Sequence, residues 1–155
     1  MNKYELLQDD KIEVSGRTLY RIRALKDFKG AKAGDLGGYI EKEKNLSQED
    51  NCWVCDNARV FGEAYVCGDA KINKISDVLC ISPIGSRNDA TTFFKTKDGG
   101  ICVKCGCFSG TIDRFLEAVS ETHKDNKHAK AYRLACELAK IQIELENVWN
   151  ERNII

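Results

Sequence analysis

Cys52-Trp-Val-Cys-Asp-Asn57, Ala58-Arg-Val-Phe-Gly-Glu63, Ala64-Tyr-Val-Cys-Gly-Asp69, Ala70-Lys-Ile-Asn-Lys-Ile75 and Ser76-Asp-Val-Leu-Cys-Ile81 are five hexads laid end to end. Their first column is Cys52, Ala58, Ala64, Ala70 and Ser76; their third is Val54, Val60, Val66, Ile72 and Val78. Residues two apart on a strand face the same side, so the small and the branched residue of each hexad point into one interior. Asp56, Gly62 or Gly68 in the fifth column then lets the chain bend. Neither a helical period nor a plain hairpin gives a strict period of six. Three short strands per turn make a triangular coil, and each full turn then uses three hexads.

The flanks read differently. Lys11–Val14, a Ser15-Gly16 turn and Arg17–Ala24 form a hairpin that caps the coil. Residues 26–36 read as a loop. After the repeat, strands at Thr91–Thr96 and Gly100–Phe108 are joined at Lys97–Gly100. Ser109-Gly-Thr111 then starts a helix ending near His123. A polar break at Lys124–Lys127 leads into a longer helix over 128–152, with Ala129, Tyr132, Cys136, Ala139, Ile143 and Val148 along one side. Its length suits a packing arm between subunits. The expected fold is therefore α+β: a β domain over 1–108 (hairpin cap, coil 37–81, hairpin 91–108) and a helical tail over 109–155.

The run Asn57-Ala-Arg-Val-Phe-Gly-Glu-Ala-Tyr-Val-Cys-Gly-Asp-Ala-Lys-Ile72, with the lead-in Asp35-Leu-Gly-Gly-Tyr-Ile-Glu41, Asn45-Leu-Ser47 and Cys52-Trp-Val54, resembles the hexapeptide-repeat, left-handed parallel β-helix proteins. It is most similar to short bacterial and prophage forms of unassigned function. The resemblance covers about residues 18–81 and implies a homo-oligomer, with three-fold symmetry first. It also implies a possible acyltransferase activity, in which a histidine beside the coil is the general base. The two histidines here, His123 and His128, both lie in the helical tail. Placement there suits a helix end and the following turn, where imidazole meets terminal carbonyls.

Composition removes whole classes. The 155 residues carry 24 Lys+Arg and 24 Asp+Glu, and neither sign predominates in any third of the chain. Long nucleic acid, which demands a basic face, is not an expected partner. No apolar run is long enough to span a bilayer and no signal peptide opens the chain, so a cytoplasmic, reducing setting is expected. There the eight cysteines are thiols. Cys52-x-x-Cys55 and Cys102-x-x-Cys105-x-Cys107 have the look of zinc knuckles. However, Cys52 is already in phase with Ala58 and Ala64, and free cysteine packs as a small hydrophobe. No metal and no cofactor are expected. Trp53 and Tyr65, in the outward second column, call for a covering element or a partner.

The segment Ser82–Thr92 concentrates hydroxyls, an amide and a guanidinium directly after the repeat. Gly85 lets backbone amides converge, Ser86, Asn88, Thr91 and Thr92 offer side-chain hydrogen bonds, and Arg87 can grip a phosphate with two parallel bonds. Ser82 and Lys95 flank them. A second anion-binding candidate is Ser109, Gly110 and Thr111, at a helix start. The plain alternatives are a tight turn and an ordinary N-cap. The expected function is a non-enzymatic, oligomeric binding protein for a small anionic, nucleotide-like ligand held at subunit boundaries. The similarity to prophage proteins implies a use as a phage anti-defence protein sequestering a host signalling nucleotide. The rival classes are a CoA-dependent acyltransferase using His123 or His128, and a structural or protein-interaction module.

Overall fold

A computed structural model describes residues 1–144, and the chain divides into two compact units, Met1–Ile75 and the part from Ser76 onward. In the first unit, β1 (Tyr4–Val14) and β2 (Arg17–Ala24) form an antiparallel hairpin. Ser15 and Gly16 close it, both at positive φ, as a tight two-residue hairpin turn requires. β1 begins seven residues before the expected Lys11. Its ladder with β2 is interrupted between Leu6 and Lys11, so the polar run Gln8-Asp9-Asp10 hides the strand's first half. β3 (Leu36–Ile40) pairs antiparallel with β2 and parallel with β5 (Arg59–Val60). β4 (Trp53–Val54) runs parallel to β6 (Lys71–Ile72), and Leu46 bridges in parallel to Val66.

These parallel partners are 20 residues apart at Tyr39 and Arg59 and at Leu46 and Val66, but 18 apart at Trp53 and Lys71. The later spacing equals three hexads. The earlier winding holds two surplus residues, which fall between Leu46 and Trp53. Ile40, Leu46, Val54, Val60, Val66 and Ile72 are each no more than 1% exposed. These branched side chains belong to the core of the first unit, each contributing about 1.5–3 kcal/mol of burial. Cys52, Ala58, Ala64 and Ala70 are buried beside them.

Two further features fix this unit. A Cβ on Gly37 would stand 2.6 Å from the Val54 carbonyl oxygen, and one on Gly38 would overlap the Ala58 carbonyl. Glycine here sets the distance between windings. Asn45, fully buried, donates through Nδ2 to the carbonyls of Ala64 (2.8 Å) and Gly62 (3.1 Å) and accepts from the Lys42 N–H at 3.0 Å. It satisfies backbone groups where the chain turns and the ladder lapses. Trp53 is covered edge-on by Phe28 and Tyr4, with ring centroids 5.4 and 6.3 Å away, so the loop and β1 supply the cover that its outward column demands.

The second unit is an antiparallel meander under two helices. Its strands are β7 (Val78–Ile84), β8 (Asp89–Lys95), β9 (Ile101–Cys105) and β10 (Phe108–Thr111), in the order β10-β9-β8-β7. The fifth hexad does not share the parallel pairing of the earlier ones: Val78–Ile81 pairs antiparallel with Thr91–Phe94. The preceding bend slot holds Lys74 in place of glycine, and the chain turns through a 3-10 segment, Ile75–Asp77, before extending. The hairpin grouped by sequence with the coil accordingly falls in the same unit as the helices, and the division comes after Ile75, not after residue 108. The single strand expected over 100–108 is two, because Gly106, at φ 57, turns the chain back.

α1 (Ile112–His123) starts on Thr111, whose hydroxyl accepts from the Arg114 N–H. α2 (Lys127–Ala139) starts on Asn126, which accepts from the N–H groups of His128 and Ala129, and it continues into a π-helical turn at Lys140–Glu144. Phe115, Val119, Ala129, Tyr132, Cys136, Ala139 and Ile143 pack with Phe93, Ile101 and Val103 as one core. The remainder of the expected long helix, including Val148, lies outside the described residues. Among the described residues no helix is long and apolar enough to cross a membrane.

Replacing Gly38 by alanine forces β3 away from the Ala58 carbonyl. Overpacking of this kind costs about 1–3 kcal/mol, read as a lowered midpoint in urea denaturation. An unchanged midpoint would show that the windings can separate without loss.

Candidate functional site

The polar segment Ser82–Thr92 is a β-hairpin more than a loop. Ser82 lies in β7, Thr91 and Thr92 lie in β8, and only Gly85–Asn88 turns. The Asn88 N–H closes the turn on the Gly85 carbonyl at 3.2 Å, and both residues have positive φ. Ser86, Arg87 and Asn88 are exposed on its tip, whereas Gly85 is buried. A Cβ at Gly85 would overlap the Tyr132 hydroxyl. The side chain of α2 thus occupies the space that only glycine leaves, and it seats the turn.

Tyr132 also organises what lies around it. Its ring stands edge-on to Phe115 at 5.2 Å and tilted against His123 at 6.0 Å; His123 in turn lies 5.4 Å from His128. The helix–turn–helix at 123–128 makes this histidine pair. Arg133 pins that turn, donating to the Asp125 carboxylate and the Lys124 carbonyl, each at 2.9 Å. At the tyrosine's other end the Cys105 thiol donates to the hydroxyl at 3.7 Å and accepts from Thr91 Oγ1 at 3.1 Å. Burial, then the Cys105 thiol and the Asp89 carboxylate, push the Tyr132 hydroxyl up to about 12, with Thr91 opposing. The phenol stays protonated at neutral pH and remains a hydrogen-bond donor.

Strand register decides which expected residues can meet. Thr91 pairs with Cys105, and Cys105 with Phe108, so the 85–88 and 106–107 turns share one end of the sheet. Lys95 pairs with Ile101 and Thr111 with Cys102, toward the opposite end. Six residues of strand separate the levels of Asn88 and Phe94, roughly 20 Å at the usual rise. Ser86, Arg87 and Asn88 therefore share an end with Tyr132, while Lys95 and Thr111 do not. Ser109 and Gly110 are strand residues of β10, and the Thr111 hydroxyl is engaged as the N-cap. Thr91 and Thr92 are buried. Tyr132, absent from the expected ligand set, is what the fold sets against the turn, and the histidine pair lies beyond its ring. No local motif marks Tyr132, which sits 47 residues from Gly85 in the numbering.

The cysteines do not assemble. Cys102 and Cys105 belong to one strand, and positions three apart on a strand face opposite sides. Among the described residues no three of His, Cys, Asp and Glu gather to hold a metal ion. Burial pushes the Cys136 thiol up to about 11 and raises Cys52 too, against the pull of Lys3. An open cleft of about 450 Å³ in the first unit is lined by Gly30, Asp35, Trp53, Asp56 and Lys71. Another, of about 440 Å³, lies along α1 at Asp113, Leu116 and Glu117. Neither is lined by the turn.

No family model matches the chain. A curated relative from Escherichia coli (strain K12), named "Uncharacterized acetyltransferase YdcK", is 44% identical over 59 residues. The match takes in 37% of this chain and 18% of the relative, so the chain spans under a fifth of the length of that protein.

The raised Tyr132 pKa fixes the sign of an alkaline effect. The folded state holds the proton more tightly than the unfolded chain, so this stabilisation is complete below about pH 10 and is lost as pH rises through about 12. Melting temperature against pH should fall more steeply over that interval for the native chain than for Tyr132→Phe. Parallel curves would remove the assignment.

Proposed function

We propose that the protein is a non-enzymatic binding module for a small anionic, nucleotide-like ligand, taken up at the Gly85–Asn88 end of the second unit. The observation that carries this reading is Arg87: it is exposed on a turn braced from beneath by Tyr132, and among the described residues it has no carboxylate partner. A planar guanidinium on a fixed turn suits two parallel bonds to a phosphate. Ser86 and Asn88 add donors beside it, and the histidine pair adds rings for a base or further donors for a second phosphate. This reading leaves out Lys95 and Thr111, which lie toward the other end of the sheet, and Ser109 and Gly110, which are strand residues of β10.

The first unit is proposed as the scaffold, a short left-handed β-helix of the hexapeptide type. The 18-residue parallel spacing and the filled interior support it. Sequestering a host signalling nucleotide, as a phage anti-defence protein would, fits a module that binds without turnover. The printed name of the partial relative favours a second reading, a CoA-dependent acetyltransferase, for which His123 or His128 would be the base.

Thermal melting of the full chain with cyclic and linear nucleotides separates the two. A ligand present at a hundred times its Kd stabilises by about 2.7 kcal/mol, seen as a rise in melting temperature of several degrees that Arg87→Ala abolishes. No shift with any nucleotide would end the binding reading. Acetyl-CoA consumption lost in His123→Ala or His128→Ala would replace it with the second.

A further inference from the structure

Two of the thiols that gather no metal stand on either side of one glycine. Cys105 ends β9, Cys107 lies in the turn before β10, and Gly106 between them has φ 57. Cys107 is exposed and Cys105 is half-buried. Consecutive Cα atoms are about 3.8 Å apart. A chain bent through about 90° at Gly106 therefore sets the Cα atoms of Cys105 and Cys107 roughly 5.4 Å apart, well inside the span of a disulfide. In an extended strand the same two would stand roughly 6.6 Å apart, near the limit of that span. The Cys105 sulfur is also where three elements meet. It accepts from the Thr91 hydroxyl of β8 at 3.1 Å and donates to the Tyr132 hydroxyl of α2 at 3.7 Å. That hydroxyl fills the space above Gly85, so the thiol proton is a polar tie between the sheet and the side chain that seats the 85–88 turn.

We propose that Cys105 and Cys107 are a redox pair closed by an anionic, low-molecular-weight disulfide, and that closure withdraws Cys105 from Tyr132 and loosens the Gly85–Asn88 turn. The proposal does not rest on the ligand reading. Cys107, the exposed member, attacks one sulfur of the small disulfide as its thiolate; the S–S bond breaks and one small thiol leaves. Cys105 then attacks the Cys107 sulfur of the mixed disulfide, and the second small thiol leaves. Two cysteine thiols give up two electrons and two protons, and the small disulfide becomes two thiols. The proton that Cys105 shared with Tyr132 departs in the second step, so its sulfur no longer donates. Cations at this end of the sheet favour an anionic reagent. The Lys104 ammonium donates to the Gly106 carbonyl at 2.7 Å, and Arg87 is exposed on the neighbouring turn. The opposing charge is Asp89, whose carboxylate accepts from the Ala90 N–H at 2.8 Å.

Glutathione disulfide added to the full chain, without any nucleotide, tests this. Cleavage after Lys104 and Arg114 releases a peptide in which Cys105 and Cys107 are the only cysteines. Its mass should fall by two hydrogen atoms, and it should resist alkylation until reduced. In Cys105→Ser the same peptide should instead keep one glutathione on Cys107. In Cys107→Ser, Cys105 should react about ten-fold more slowly than the native pair closes, since its sulfur is half-buried and engaged. The Asn88 amide, which closes the turn on Gly85 at 3.2 Å, should exchange its hydrogen about ten-fold faster in the oxidised native chain. In Cys107→Ser given the same treatment that rate should not move. An unmodified peptide, glutathione on both cysteines with no link between them, Cys105 reacting as fast without Cys107, or an Asn88 rate indifferent to closure would each overturn the proposal.

Discussion

The first unit depends on how closely β3 lies against the chain at Val54 and Ala58. Gly37 and Gly38 bring the backbone of β3 so near the carbonyls of Val54 and Ala58 that no Cβ fits between. That approach sets the parallel pairing of Tyr39 with Arg59 and of Ile40 with Val60, which in turn puts Ile40 into the same core as the branched residues of the repeat. Arg21 rivets the arrangement from the side. Its guanidinium donates to the carbonyls of Gly37 and Asp56, to the hydroxyl of Tyr39 and to the side chains of Asp10 and Asn57. A fully engaged arginine of this kind contributes rigidity and is not available to a ligand.

The second unit is organised by the opposite device, a large side chain set against a missing one. Tyr132 enters the space above Gly85, so the helix layer and the hairpin tip fix each other directly. The same ring is neighbour to the histidine pair, and its hydroxyl is tied to Cys105. What distinguishes Arg87 from Arg21 is therefore its situation. One is saturated by backbone and side-chain acceptors, and the other is exposed on a braced turn, with no carboxylate partner among the described residues. For the proposed binding role the bracing matters, because a pre-ordered turn would lose less freedom on taking up an anion.

The hexads were legible because a period of six with small and branched columns has few physical explanations, and the small and branched residues of the first four are buried as that pattern requires. The fifth hexad misled for an instructive reason. Periodicity reports which side chains face together but not which strand is their neighbour, and Val78–Ile81 satisfies the pattern while pairing antiparallel. The start of α1 at Ser109-Gly-Thr111 and the polar break before α2 were readable from local chemistry, though the first strand was concealed by a polar bulge. The turn at 85–88 could be located from composition. Its partner could not, since Tyr132 resembles any other buried position on a helix, and the engagement of Thr111 as the N-cap shows only in the folded chain.

The surplus residues at 47–52 carry one further implication. Lys3 is 1% exposed, and its ammonium donates to the carbonyls of Glu49 and Cys52 and meets the Cys52 sulfur at 3.3 Å. Gln48 meanwhile accepts from the amides of Lys3 and Tyr4 through one amide oxygen. The start of β1 is thus tied to acceptors 46 and 49 residues further along the chain, so the leading hairpin reaches its final anchorage only with the segment at 48–52 in place.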